Sequence, residues 1–305
     1  MKKLWLIIST ALLFLVSCQT KEVSITILVP DGIPSIAQSE LEYQENGYTI
    51  DRVAGPQPLS AAFTSGSYDV IIAPINLGAN LYQKGAEYRL AGILTWSNLQ
   101  IISRVEINQL NDLSGQDIIS FGQGAIPEIV ISHLLSQITF DEPISIDYTA
   151  TSVQESLLMF LQGADYAIVS EPITSQVLDL EDTVYIYDLA DAWSSLTGFE
   201  SFPQAGVFVH NNLTDQEINI YLSDLEDASN LAINHPDDIA EKCASMDYPF
   251  ESSLIEISLP KSHIDFQTSS QAQVAINQML QLIYEEKPAL IGDALPDDDW
   301  LYLPS

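Results

Sequence analysis

Side chains able to do chemistry are sparse in this chain and stand far apart. Its four histidines, His133, His210, His235 and His263, show no HExxH or HxH spacing, and Cys18 and Cys243 form no CxxC pair. The histidines therefore read as surface or packing residues. Asp297-Asp298-Asp299 offers carboxylates, but it lacks the glycine and distal glutamate of an EF-hand loop and reads as a solvated acidic tail. There is no GxSxG elbow and no P-loop, and Pro127 stands where a Gly122-Gln123-Gly124 dinucleotide loop needs its third glycine. With 42 acidic residues in the chain, pairs of carboxylates are too common to mark a general acid and base. No catalytic group, metal or cofactor is expected.

What remains is binding chemistry in loops. Six loops combine proline, glycine and small polar residues: 30–35 with Asp31, Gly32 and Ser35; 73–76 with Asn76; 95–98 with Trp96 and Asn98; 122–128 with Gln123, Gly124 and Ala125; 170–172 with Glu171; and 202–206 with Gln204. Such residues make turns anywhere, but proline at a helix start with small neighbours also leaves backbone amides free to face a bound molecule. Six such loops together point to a shared cleft.

The elements that must position these loops alternate. Val23 to Val29 has a period of two and breaks at Pro30-Asp31-Gly32; Tyr48–Ala54, Tyr68–Ala73 and Tyr88–Thr95 read as further strands, with helices between them. After Asp112 the rhythm resumes, with strands at Ile118–Phe121, Ile144–Tyr148, Tyr166–Val169 and Val184–Tyr187 and helices near 127–138, 152–161, 172–178 and 190–196. Beyond Gln204–Val209 the chain becomes mostly helical, at about 215–233, 237–245 and 269–286. The last carries Ala272, Ala275, Ile276, Met279, Leu282 and Ile283 as a core-facing stripe. This pattern predicts an α/β protein with mostly parallel sheets flanked by helices, in which ligands bind outside the carboxyl ends of strands.

Charge adds a boundary and several exclusions. Ten basic residues against 42 acidic give a net charge of -32. That sign excludes docking on nucleic acid and electrostatic attachment to anionic lipid. A hydrophobic content of 47% excludes disorder. From Val105 to Glu241 there is no Lys or Arg, yet 24 Asp or Glu, which fits a middle domain inserted between two halves of the first.

Met1-Lys2-Lys3 followed by the uncharged run Leu4–Val16 matches a signal peptide, too short to span a membrane. It ends in Leu15-Val16-Ser17-Cys18, similar to a bacterial lipobox whose cysteine receives a diacylglycerol. The expected processing leaves residues 1–17 as a lipoprotein signal peptide and 18–22 as a lipidated tether. An acidic body repelled by anionic lipid needs a covalent anchor, and two acyl chains hold where one does not. The protein is thus expected at the extracytoplasmic face of the cell membrane. With Cys18 lipidated, Cys243 has no disulfide partner.

Asp31-Gly-Ile-Pro-Ser, Tyr68-Asp-Val-Ile-Ile-Ala-Pro, Phe121-Gly-Gln-Gly-Ala-Ile-Pro-Glu, Gly163-Ala-Asp-Tyr-Ala-Ile-Val-Ser-Glu-Pro and Pro203-Gln-Ala-Gly occur in this order. They resemble the nitrate/sulfonate/taurine and thiamine-precursor group of solute-binding proteins of ABC importers, over nearly all of the chain past Val23. The resemblance implies a type II periplasmic-binding fold: domain 1 from 23–106 plus 205–305, domain 2 from 107–204, and crossovers near 104–108 and 200–206. It implies a monomer that delivers a small molecule to ABC permease and ATPase subunits. A cytosolic branch of the same group makes a pyrimidine precursor with a cysteine-rich iron motif, which this chain lacks. A ligand-sensing surface lipoprotein without transport is the other alternative.

For the ligand, Trp96 offers a stacking ring or a core residue, Asn76, Asn98, Gln123 and Gln204 polar edges, and Asp31 or Glu171 a partner for a cation. Arg104 is the one base expected near the cleft. The balance favours a neutral or cationic organic solute over an inorganic anion.

Overall fold

The structure is a computed structural model that describes residues 24–44, 47–181 and 183–303. Cys18 and the proposed signal peptide and tether lie outside the described residues. The chain begins with β1 (Ile25–Pro30), α1 (Ile33–Ile36), α2 (Ser39–Tyr43), β2 (Tyr48–Val53), α3 (Pro56–Ser65), β3 (Val70–Pro74), α4 (Ile75–Gln83) and β4 (Tyr88–Trp96). It then forms β5 (Gln100–Ser103), β6 (Asp117–Ile119), α5 (Ile126–Ser136), β7 (Ser145–Asp147), α6 (Val153–Leu161), β8 (Tyr166–Val169), α7 (Ile173–Leu180), β9 (Tyr185–Asp188) and α8 (Leu189–Thr197). It returns through β10 (Pro203–His210), α9 (Asp215–Asn234), α10 (Pro236–Ser245), α11 (Ser252–Ser258), β11 (Ile264–Thr268) and α12 (Ser269–Glu286).

Two sheets result. The larger has the order β11-β4-β10-β3-β1-β2 and the smaller β7-β6-β8-β5-β9. In the larger sheet β1 pairs in parallel with β2 and β3, while β10 lies antiparallel between β3 and β4, with Phe208 opposite Ile71 and Leu90. In the smaller, β6 pairs in parallel with β7 and β8, and β5 runs antiparallel between β8 and β9. Both sheets are therefore mixed, with most strands running one way and β10 and the edge strand β11 in the larger, and β5 in the smaller, running against them. Parallel neighbours need helical crossovers, which is why the helices cover the faces.

The first crossover falls earlier than its expected place near 104–108. Gln100 already pairs with Val169 and Asp188 in the smaller sheet, so the chain changes sheets at 97–99. The four-residue β5, too short for a visible alternation, masks the boundary. The second change, between α8 and β10, falls at 198–202. Three elements escaped the pattern altogether: β5, α11, and β11 at the edge of the larger sheet.

Local rules explain the rest. Thr214 and Glu217 form a capping box at the start of α9, and Thr268 and Gln271 another at α12. Ala272, Ile276, Met279, Leu280 and Ile283 of α12 are buried. Gly78 lets α4 lie against β10, because a Cβ there would come within 2.1 Å of the Phe208 ring. Phe208 in turn meets Phe63 edge-on at 5.1 Å. This apolar cluster continues through Trp96, Leu99 and Phe202 into Ile118, Ile129 and Trp193 of the smaller lobe. The lobes are thus joined by packed side chains as well as by two strands of backbone.

Candidate functional site

A cavity of about 230 Å³ lies between the lobes at the carboxyl ends of strands from both sheets. The larger lobe supplies Pro30 to Pro34 after β1, Ala73 and Pro74 at the end of β3, and Thr95 at the end of β4. The smaller supplies Phe121, then Val153 and Gln154 at the start of α6, and Ser170 to Pro172 after β8. Asn98 enters from the first crossover, Gln204 and Ala205 from the start of β10, and Phe250 from the loop before α11. Strand ends of open α/β sheets form such crevices because their loops diverge there.

Glu171 is the most constrained of these residues. Its carboxylate accepts from Ser175 N at 2.9 Å and Ser175 Oγ at 3.0 Å, closing the first turn of α7. Burial pushes its carboxyl above the ordinary range, against the opposing pull of those hydrogen bonds and of Lys261 and His263. Its backbone is gripped by Asn98, whose Oδ1 accepts from Glu171 N at 2.9 Å while Nδ2 donates to Glu171 O at 3.3 Å. Asn98 N donates to Gln204 Oε1 at 2.9 Å, tying the first crossover to the start of β10. Beside them Ser97 N donates to Phe202 O at 3.0 Å and Phe202 N to Ser97 Oγ at 2.9 Å. The crossovers are stapled by these hydrogen bonds, and Asn98, Glu171 and Gln204 among the partners also wall the cavity.

Asp31 differs: its side chain is exposed at the cavity rim, next to Gly32, whose φ of 109° is open to glycine at little cost. At the start of α6, Ser152 Oγ accepts from Glu155 N at 3.2 Å, beside the cavity-lining Val153 and Gln154. Acidic Asp31 and Glu171 are the charged residues of the lining, together with ten apolar ones that include Phe121 and Phe250.

Of the sequence-predicted site residues, Asp31, Gly32, Asn98, Glu171 and Gln204 line the cavity. The other six do not. Trp96 is core, 5% exposed, with Nε1 donating to Asp265 O at 2.7 Å, so its ring is unavailable for stacking. Ser35 is buried and its Oγ donates to Gly32 O at 2.8 Å. Asn76 is buried and spans the lobes, Nδ2 donating to Gly124 O at 3.2 Å. Gln123, Gly124 and Ala125 form the lead into α5 beyond the lining, where Gly124 N donates to Glu128 Oε2 at 2.6 Å. Arg104 is also remote: it donates to Phe160 O at 2.9 Å and Ala164 O at 3.3 Å, and stacks over the Phe160 ring. The lining residues outside the six loops are Phe121, Val153, Gln154 and Phe250. The Ser152-x-x-Glu155 cap marks Val153 and Gln154; Phe250 carries no local signal.

Among the described residues no group of three or more His, Cys, Asp or Glu can hold a metal ion, and no helix is long and apolar enough to cross a membrane. Two α/β lobes, two short crossovers and a cavity at their seam define the two-domain periplasmic-binding fold. Residues 101–285 match the family model described as menaquinone biosynthesis, and the chain belongs to that family. No curated protein matches the sequence. Solved structures share the fold. An ABC transporter from Parabacteroides distasonis is 21% identical, with 93% of this chain and 100% of that one covered, at a TM-score of 0.79. The periplasmic aliphatic sulphonate binding protein SsuA from Escherichia coli is 16% identical, with 93% of each chain covered and a TM-score of 0.69. Protein AF1704 from Archaeoglobus fulgidus is 12% identical, covering 87% and 98%, with a TM-score of 0.61.

Proposed function

We propose that the protein is a lipid-anchored, extracytoplasmic solute-binding protein. It captures a small organic solute in the cavity between its lobes and delivers it, as a monomer, to the permease and ATPase subunits of an ABC importer. The observation that carries this reading is a cavity walled by both lobes and bordered by the first crossover and by the start of β10 just past the second, so that rotation at 97–99 and 198–202 opens or closes it. The fold neighbours named as transporter and sulphonate-binding proteins support the binding role. The anchor rests on the Leu15-Val16-Ser17-Cys18 motif. With carboxylates as its charged lining, the cavity favours a neutral or cationic solute over an inorganic anion.

A second reading, chemistry in the same cavity, is favoured by the family's description as biosynthetic and by the buried Glu171. Native mass spectrometry of the purified protein separates the two. Binding predicts a co-purifying small molecule that stays chemically unchanged on incubation; its turnover would establish an enzyme. Cys18→Ser is expected to release the protein from the membrane, and a variant that stays attached would defeat the anchor.

A further inference from the structure

The seam between the lobes is closed by cationic side chains meeting carboxylates, and two of those side chains are histidines. On one flank His133 of α5 places Nδ1 2.6 Å from Glu286 Oε1 at the end of α12. The Trp193 ring of α8 packs beside it, 5.7 Å between centroids. One turn away Lys287 bridges to Glu128. On the other flank His263, just before β11, places Nε2 3.6 Å from Asp188 Oδ2 at the end of β9. Asp191 of α8 and Glu171 of the β8–α7 loop also face His263. Lys261 reaches across the same flank to Ser175 Oγ at 3.3 Å and compensates Glu171. In each pair the histidine and its carboxylate belong to different lobes.

We propose that these cross-seam pairs form a latch on the cleft and that His263 makes the latch pH-sensitive. Protonated, His263 joins the lobes by an ion pair with Asp188; neutral, it keeps at most a hydrogen bond and no longer offsets the carboxylates of Asp188, Asp191 and Glu171. The lysine contacts and the His133–Glu286 pair hold the seam beside it. Burial disfavours the charged form of Glu128, but the hydrogen bond from Lys287, the Gly124 amide and the Lys287 charge outweigh it and hold the carboxyl below its ordinary range. His263 supplies the variable part, since imidazole ordinarily titrates near pH ~6.5. The Asp188 carboxylate 3.6 Å away raises His263 above that value despite burial. The sign follows: the His263 contribution to closure is fully present below the ordinary imidazole pKa and is lost as pH rises through the raised one.

This inference rests on the seam cavity being the binding site, yet its test needs no ligand. Small-angle scattering of the purified protein at about pH 5.5 and about pH 8 brackets the imidazole titration. The radius of gyration is expected to be smaller at the lower pH. His263→Asn should remove most of the difference, asparagine being chosen because His263 has a φ of 49° that asparagine tolerates. Asp188→Asn should reproduce that result with the histidine intact. Circular dichroism confirms that each variant folds. A pH-invariant wild type, or an unchanged pH response in His263→Asn, overturns the latch and leaves the binding reading standing. A protein that holds no solute under any condition does the reverse.

Discussion

The larger lobe neutralises part of its own acidity, whereas the smaller lobe barely can. In the larger lobe Arg52 meets Glu42 at 3.8 Å and lies over the Tyr248 ring, and Lys242 meets Glu40 at 2.5 Å. The smaller lobe has Arg104 alone, because no Lys or Arg follows it until residue 242. Arg104 is spent on holding α6 to β5 and on Glu181, 3.5 Å away. The acids of the smaller lobe are met instead across the seam, by Lys287, His263 and Lys261 of the larger one. Two lobes of like net charge are therefore drawn together by local cations, and the cleft between them keeps its acidic lining. Segregating charge between lobes makes closure an electrostatic event, which a uniform mixture of signs would not do.

The largest effect should come from removing the smaller lobe's one arginine. Arg104→Met strips two carbonyls of charge-assisted donors and the Phe160 ring of its cation, and should destabilise the protein by about 2–3 kcal/mol. Urea denaturation measures it; a loss no greater than for a surface substitution would show that the lobe does not depend on internal compensation. Lys287→Met should cost less, about 1 kcal/mol, since its partly exposed pair with Glu128 is screened by solvent. Its signature is a shift in lobe separation by scattering, which raised salt should mimic in the wild type; insensitivity to both would remove electrostatics from closure.

Glu171 sharpens the comparison through pH. Its carboxyl is raised by burial, so between its ordinary and raised pKa the folded chain binds a proton that the unfolded chain has released. Stability contributed here is lost as pH rises through that window, and wild type should lose ground relative to Glu171→Gln. Parallel denaturation series across the carboxylate range test this, and a gap that widens in favour of the wild type contradicts it. Smallest in stability is Asp31→Asn, expected to stay within about 0.5 kcal/mol of wild type because the side chain is exposed. Its effect belongs to solute affinity, read by calorimetry with the co-purifying molecule; an unchanged affinity would remove Asp31 from the site.

Local chemistry was enough to establish much of this protein. Period-two and helical patterns placed most strands and nearly all long helices, because the side-chain period is a property of the backbone itself. Proline and glycine loops at strand ends supply part of the cavity lining, and the stretch without bases from 105 to 241 covers the smaller lobe past β5 but runs on through α9 into α10 of the larger one. Tertiary structure alone decided which loop residues face the cavity. Asn76, in the first turn of α4, and Trp96, the last residue of β4, are turned into the lobe contact and the core. Phe250 reaches the cavity from a distant loop because α10 and α11 carry it there. The pairing of His133 with Glu286 spans 153 residues and that of His263 with Asp188 joins opposite lobes. Such contacts depend on how finished elements dock, and docking is set by the summed burial of many side chains, which no local run of sequence contains.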